Sequence, residues 1–337
     1  MARAWFEKRE RGSAWLLARA RVLALWMGRT PALGFLWLVT VYFYAFSRDG
    51  RAGIRAYYEH LLGRAPGARR IFHHYFRFAQ TILDRAYLLA RHKDAPRLLI
   101  RGFDAIYPSL VEGGGAILLG AHLGSFEAAR AAAFEHPELK IQVLMDAEIS
   151  RKLNNAMSVL CPGMHESVVS LGSPAALLRV KETLAQGGLV GMMGDRVRPD
   201  ELTYRQDFLG DEALFPLGPL RLAAALRVPV FFFASTYRTA VDGSATYEVV
   251  FELLCGPAPG IDGRTQWLQE LGRRYVAALE SHCRIVPDNW FNFYDFWHPQ
   301  IGQPLVVDWS AQPARRGSGA SVDRAYPVED LKSHDEP

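Results

Sequence analysis

The stretch Gly113-Gly-Gly-Ala-Ile-Leu-Leu-Gly-Ala-His-Leu-Gly-Ser-Phe-Glu-Ala-Ala-Arg-Ala-Ala-Ala-Phe134 decides the fold. Its glycines lead into a short apolar run, Ala116 to Leu119, that has the composition of a buried strand. A polar turn containing His122 and Glu127 follows, and then an alanine-rich helix. A strand that ends at a histidine and turns into a helix presents that side chain at the carboxyl end of an α/β sheet, where the sites of such sheets lie.

The same alternation of short apolar runs with helical stretches continues from residue 97 onward. The predicted strands are Leu98–Ile100, Ala116–Leu119, Ile141–Leu144, Val168–Leu171, Leu189–Met193, Val228–Ala234 and Tyr247–Leu253. The predicted helices between and after them are 127–135, 148–160, 174–186, 217–226 and 264–282. Repeated βαβ units predict an α/β fold with a mostly parallel central sheet and helices on both faces.

His122 and Glu127 are the candidate catalytic residues. Five residues on one helix turn through about 500°, which leaves two side chains about 140° apart, so the pair needs a bend between them. Gly124 and Ser125 supply that bend, with Ser125 as the cap of the following helix. We predict His122 as a general base that Glu127 orients. The alternatives are a structural histidine and, since the surrounding letters are not G-x-S-x-G, a less favoured nucleophilic role for Ser125.

A second polar cluster, Gly194-Asp195-Arg196 with Arg198, follows another predicted strand. Such an Asp–Arg pair binds a phosphate, stabilises an oxyanion or forms a structural salt bridge. We predict substrate-binding roles for Asp195, Arg196 and Arg198.

Two later segments complete the candidate substrate-binding set. Phe215-Pro-Leu-Gly218 opens a helix, and Gly218 leaves free amides there for an anion. Trp290 lies in Asp288-Asn-Trp-Phe-Asn-Phe-Tyr-Asp-Phe-Trp297, an aromatic stretch that suits either an acyl-chain groove or the core.

The charge distribution and the hydrophobic content indicate which kind of partner the protein binds. The net charge of +4 divides into about +12 over residues 1–100 (18 Lys/Arg, 6 Asp/Glu) and about −8 over the rest (21 and 29). A basic first third indicates a phosphate-bearing partner, and the high hydrophobic content and lack of a recognition motif favour an anionic membrane over nucleic acid. The widely spaced cysteines and histidines predict no metal site, and the absence of a nucleotide-binding motif predicts no cofactor.

The first 95 residues read as a basic, aromatic helical region that associates with a membrane. Residues 1–30 form a basic amphipathic helix in which Trp26 shares a face with Trp15, and 32–46 are almost wholly apolar. A bilayer span needs roughly 20 such residues, and arginines flank both ends of this shorter run, so monotopic insertion is favoured and a single-pass anchor stays open. We predict an α/β catalytic domain over 96–310 and a disordered tail over 311–337.

Together these motifs resemble the lysophospholipid acyltransferase superfamily, in particular its bacterial lipid A (lauroyl/myristoyl) acyltransferase-like branch. The resemblance covers most of residues 5–300 and rests on an H-x4-D/E motif at His122–Glu127, followed in order by Gly194-Asp-Arg196, the Phe208–Gly218 block and Trp290–Trp297. Within the branch, the chain is most similar to the predicted acyltransferases of aryl-polyene pigment pathways.

The resemblance implies a reaction and a location. In such families a histidine deprotonates an acceptor hydroxyl, which attacks the thioester of acyl-carrier protein or acyl-CoA, and the motif carboxylate orients the histidine. It implies a membrane lipid or glycolipid acceptor, and a place at the cytoplasmic face of the bacterial inner membrane. This sequence has Ala121 where lipid A enzymes carry Asn, and Leu217 where glycerol-phosphate enzymes carry Glu, so the acceptor stays open. The alternative functions are a non-catalytic lipid- or acyl-carrier-binding protein on the same fold and a serine hydrolase that uses Ser125.

Overall fold

The computed structural model describes residues 14–132, 140–146, 168–171, 174–199, 201–299, 305–307 and 309. The helices are α1 Ala14–Met27, α2 Arg29–Phe46, α3 Arg48–Leu62, α4 Ala68–Leu89, α5 Phe103–Val111, α6 Phe126–Ala132, α7 Pro174–Ala185, α8 Gly218–Leu226 and α9 Arg264–Ile285. The strands are β1 Arg97–Arg101, β2 Ala116–Gly124, β3 Ile141–Asp146, β4 Val168–Leu171, β5 Leu189–Met193, β6 Leu202–Phe208, β7 Asp211–Pro216, β8 Val230–Thr239, β9 Ala245–Cys255 and β10 Leu305–Val307. All of them belong to one compact unit that ends at Val307.

The main sheet has seven strands in the order β1-β9-β8-β2-β5-β3-β4. All seven predicted strands are confirmed as its members. Every neighbouring pair is parallel except β8 and β9, which are antiparallel. The mixed α/β fold with a mostly parallel sheet is therefore confirmed, and the motif strand β2 lies in its middle.

Helices cover the two faces of the central strands. Phe231 and Phe233 of β8 lie in a core cluster with Ile106 of α5 and Ala129 of α6. Phe232 points the other way and packs against Tyr275 of α9, with ring centroids 6.0 Å apart. This alternation is what a strand buried on both faces requires.

A second, three-stranded sheet in the order β10-β6-β7 was not predicted, and neither was α5. The predicted helices 174–186, 217–226 and 264–282 are confirmed with small shifts of their ends, and α6 matches the described part of 127–135. The predicted helix 148–160 and the predicted tail 311–337 lie outside the described residues.

The described part of residues 1–95 is mostly helical, as predicted, and forms α1 to α4. The hydrophobic side chains of α1 and α2 are largely exposed, and we call them the α1–α2 apolar surface: Val22, Leu23, Trp26, Phe35, Trp37, Leu38, Val41, Tyr42, Phe43 and Phe46. Within the described residues, no single helix is long and apolar enough to cross a membrane. The pair α2 and α3 passes that test of length and composition when taken together, with a bend of 92° between the two helices.

Candidate active site

His122 lies near the carboxyl end of β2, beside the residues that follow β5. The two strands pair in parallel from Ala116 with Leu189 to Gly120 with Met193, a constant offset of 73 positions. The amide of Gly194 continues this ladder by donating to the Gly120 carbonyl over 2.9 Å. The same offset brings His122 level with Asp195, so the sheet register itself places the two side chains together.

Asp195 is the carboxylate that orients His122. Its Oδ1 lies 2.9 Å from Nδ1 of the His122 ring, and its Oδ2 accepts the His122 backbone N–H over 2.9 Å. Burial raises the pKa of Asp195, but the charge and hydrogen bonds of His122 and the charge of Arg196 outweigh it and lower that pKa to about 2. An ionised carboxylate accepts only, so Nδ1 carries the proton and Nε2 is left with its lone pair.

The predicted pairing of His122 with Glu127 is wrong in this structure. Glu127 Oε2 lies 2.9 Å from Nε of Arg85 on α4, and it accepts the Ser125 hydroxyl over 3.4 Å. The reason is that β2 runs on past His122 to Gly124, where the backbone turns with φ of 76°. The predicted bend at Gly124 and Ser125 is confirmed, but it directs Glu127 toward Arg85 on α4.

Gly124 and Ser125 serve as scaffold at this turn. A Cβ on Gly124 would lie 1.8 Å from the Ser235 carbonyl oxygen, and Ser125 N–H donates to that same oxygen over 2.7 Å. Ser125 is fully buried, and its hydroxyl donates to Glu127. These contacts are those of a structural residue, whereas a nucleophile has to be reached by its substrate.

The C-terminal aromatic segment closes the other side of the pair. Leu123 and Trp290 form an antiparallel bridge, and the Phe291 amide donates to the His122 carbonyl over 2.8 Å. Trp290 is fully buried, and its indole N–H donates to Asp195 Oδ2 over 3.1 Å. The predicted substrate-binding role of Trp290 is therefore replaced by a contact with the orienting carboxylate.

The electrostatic surroundings favour a neutral imidazole. Burial lowers the pKa of His122 from its ordinary value of 6.5, the positive charge of Arg196 lowers it further, and Asp195 opposes both. The Arg85 guanidinium contributes a smaller lowering. The His122 side chain is nevertheless 32% exposed, so its ring is reachable while Asp195 behind it is 2% exposed.

The other predicted substrate-binding residues have different surroundings in the structure. Arg196 adjoins the pair and donates from Nη2 to the Phe291 carbonyl over 3.1 Å. The side chain of Glu201 links Arg198 to the exposed Gly218. It accepts the backbone N–H of Arg198, and a Cβ added to Gly218 would lie 3.3 Å from it. Phe215 is fully buried and packs on Phe208, Tyr204 and Phe296, so it is a core residue.

Three roles were not predicted from the sequence: Asp195 as the partner of His122, Trp290 as a donor to Asp195, and Arg85 as the partner of Glu127. The first role could have been found from the sequence. A glycine comes directly before each of the two strand starts, Ala116 and Leu189, and aligning these two starts also aligns His122 with Asp195. The other two come from segments distant in sequence. No known family model matches this chain, and no curated protein sequence matches it significantly.

Proposed function

We propose that the protein is a membrane-associated acyltransferase that moves a fatty acyl group from an acyl-thioester to a hydroxyl of a lipid or glycolipid. The observation that carries this proposal is the His122–Asp195 pair, in which a part-exposed imidazole keeps Nε2 free because Nδ1 is bound to a buried carboxylate. That is the arrangement of a general base held in one tautomer. The donor, acyl-carrier protein or acyl-CoA, follows from the motif resemblance.

The proposed reaction couples a proton transfer to His122 with attack on the thioester. Nε2 of His122 takes the proton of the acceptor hydroxyl, and the hydroxyl oxygen attacks the thioester carbonyl. The tetrahedral intermediate collapses to the ester and expels the thiolate, which takes the proton back from the imidazolium. Asp195 stabilises the imidazolium, and Arg196, whose positive charge acts on His122, is the proposed stabiliser of the oxyanion. No cofactor enters this scheme.

Membrane association is part of the proposal. A lipid acceptor is presented by a leaflet, and the α1–α2 apolar surface offers Trp26, Phe35 and Phe46 with exposures of 82%, 62% and 73%. Exposed large apolar side chains concentrated in one part of a chain mark membrane or protein contacts. Together with the motif resemblance, this supports monotopic attachment at the cytoplasmic face of the bacterial inner membrane, where a thioester donor and a lipid acceptor meet.

The decisive test is acyl transfer by His122→Gln. Purified protein in detergent is given an acyl-carrier protein or CoA thioester and a membrane lipid extract, and products are identified by mass spectrometry. We expect His122→Gln to abolish transfer and Asp195→Asn to slow it by about 10²–10⁴-fold, because the base loses its tautomer. Transfer by His122→Gln at the wild-type rate would overturn the proposal.

Glu127→Gln is the matched control for the choice of orienting carboxylate. It keeps the size of Glu127 and removes its charge, as Asp195→Asn does at the other position. Because Glu127 binds Arg85, we expect it to cost less activity than Asp195→Asn. The reverse order would assign the orienting role to Glu127. Thioester binding without turnover in the wild type would instead indicate a non-catalytic carrier-binding protein.

A further inference from the structure

We infer that Trp290 is a positioning residue that holds the Asp195 carboxylate in the orientation His122 requires. The inference rests on the proposed function for its catalytic meaning, but its structural content concerns the pair itself. Trp290 touches Asp195 rather than substrate: it is fully buried and lies behind the carboxylate.

The hydrogen bonds divide the two carboxylate oxygens between separate tasks. Oδ2 accepts two donors, the His122 backbone N–H at 2.9 Å and the Trp290 indole N–H at 3.1 Å. Oδ1 is then the oxygen that faces Nδ1 of the imidazole at 2.9 Å. Two fixed donors on Oδ2 set the rotation of the carboxylate, so that Oδ1 meets the ring in one geometry.

The Trp290 indole is itself held on several sides. Its ring centroid lies 5.0 Å from that of Tyr57 on α3, 5.3 Å from that of Phe208 on β6 and 5.0 Å from that of Phe296. Its backbone forms the bridge with Leu123, next to the histidine. A donor fixed by packing and by the backbone is a stiff support for the group that it contacts.

The indole N–H of Trp290 also reduces the negative charge that Asp195 presents to His122. A donor to Oδ2 draws negative charge away from the Oδ1 side of the carboxylate and weakens its hold on the imidazolium. Removing this donor should therefore raise the pKa of His122, and it should also let the carboxylate rotate. The first effect predicts a base that becomes protonated at higher pH, and the second predicts a base that is less well oriented.

Trp290→Phe is the test, with Trp297→Phe as its matched control. Trp297 belongs to the same segment and is also buried, but its indole N–H donates to the Phe208 carbonyl over 3.3 Å. Each variant thus removes one indole N–H while keeping an aromatic ring. The readouts are kcat and KM for acyl transfer, and titration of the His122 ring by NMR with His122→Gln used to assign its signal.

We expect Trp290→Phe to lower kcat by about tenfold with KM unchanged, and to move the His122 titration to higher pH. Trp297→Phe should leave both readouts as in the wild type. In an Asp195→Asn background, Trp290→Phe should have no further effect on kcat, because it acts through that carboxylate. Equal effects of the two tryptophan variants, or an unchanged His122 titration in Trp290→Phe, would overturn the inference.

Two provisions keep the outcome decisive. If Trp290→Phe fails to fold, replacing Trp290 by its benzothienyl isostere removes the N–H alone and retains both rings. The NMR titration needs no substrate. A protein that transfers no acyl group yet shows the His122 shift would refute the proposed function and leave the positioning role standing.

Discussion

His122 lies between charges of opposite sign, and their balance sets the pH at which it can act as a base. Arg196 and burial disfavour the imidazolium, while Asp195 favours it, and the net effect is a pKa below the ordinary 6.5. A base with a lowered pKa stays neutral at pH 7, where it can accept a proton. Transfer should therefore fall as the pH drops through this lowered value, because protonation removes the lone pair on Nε2.

Replacing Arg196 tests this balance. Arg196→Met removes a positive charge that lowers the pKa of His122, so the acid limb of the pH–rate profile should move to higher pH. Arg85→Met should move it in the same direction by less, because Arg85 contributes the smaller lowering. Measuring kcat/KM from pH 4 to 9 distinguishes the variants, and an acid limb that moves to lower pH in Arg196→Met would contradict the electrostatic account.

At the residue scale, the histidine could be predicted from the sequence but its partner could not be predicted from spacing. The H-x4-E motif suggested Glu127 because it is near in sequence. The structure selects Asp195, 73 positions later, because parallel strands bring the residues after their carboxyl ends together. Contacts set by sheet register become predictable once two strand starts are aligned, whereas the contact with Trp290 depends on how the C-terminal segment folds back.

At the scale of elements, a buried ion pair joins α2 to α4. Arg29 at the start of α2 donates two hydrogen bonds to Asp84, at 2.7 and 2.9 Å. Asp84 is fully buried and also accepts the hydroxyl of Tyr247 on β9 over 3.2 Å. This cluster fixes the exposed helices of the N-terminal region to the sheet that carries the candidate site.

Arg29→Met should destabilise the fold because it leaves the Asp84 carboxylate buried without its cation, at a cost of about 3–5 kcal/mol. The double variant Arg29→Met/Asp84→Asn should recover part of this loss, since the remaining amide is neutral and still accepts from Tyr247. Denaturant unfolding in detergent gives both values. A double variant no more stable than Arg29→Met would show that the charge of Asp84 is not the source of the loss.

The missed elements have local physical causes. The strands β6 and β7 are joined by Leu209 and Gly210, both with positive φ, as a two-residue hairpin turn requires. Leucine is rare in that conformation, so these two residues do not form a recognisable hairpin signal. Helix α5 contains Pro108, a residue that disfavours the interior of a helix, and it is only nine residues long. The seven strands of the main sheet were predictable because each contains a short, largely apolar run.

On the scale of the whole molecule, charge and apolar exposure are concentrated in one part of the chain. Residues 1–100 carry the positive excess, and the exposed Arg48 and Arg55 follow the α1–α2 apolar surface directly. Apolar side chains gain by insertion among acyl chains, and arginines gain by contact with anionic headgroups. The combination fits a leaflet that contains anionic lipid better than a neutral one.

Vesicle co-sedimentation tests this surface. Wild-type protein should sediment with vesicles of phosphatidylcholine and phosphatidylglycerol, and less with phosphatidylcholine alone or at high salt, because screening weakens the arginine contacts. Trp26→Ser/Phe35→Ser/Phe46→Ser should lose most binding, since it removes three exposed apolar side chains from the surface. The matched control, Val241→Ser/Leu253→Ser/Ile261→Ser, changes three exposed apolar side chains elsewhere and should bind as the wild type does.

Equal loss in both triple variants would mean that general hydrophobicity, rather than the α1–α2 apolar surface, drives attachment. Equal binding by all three proteins would remove that surface from the membrane contact altogether.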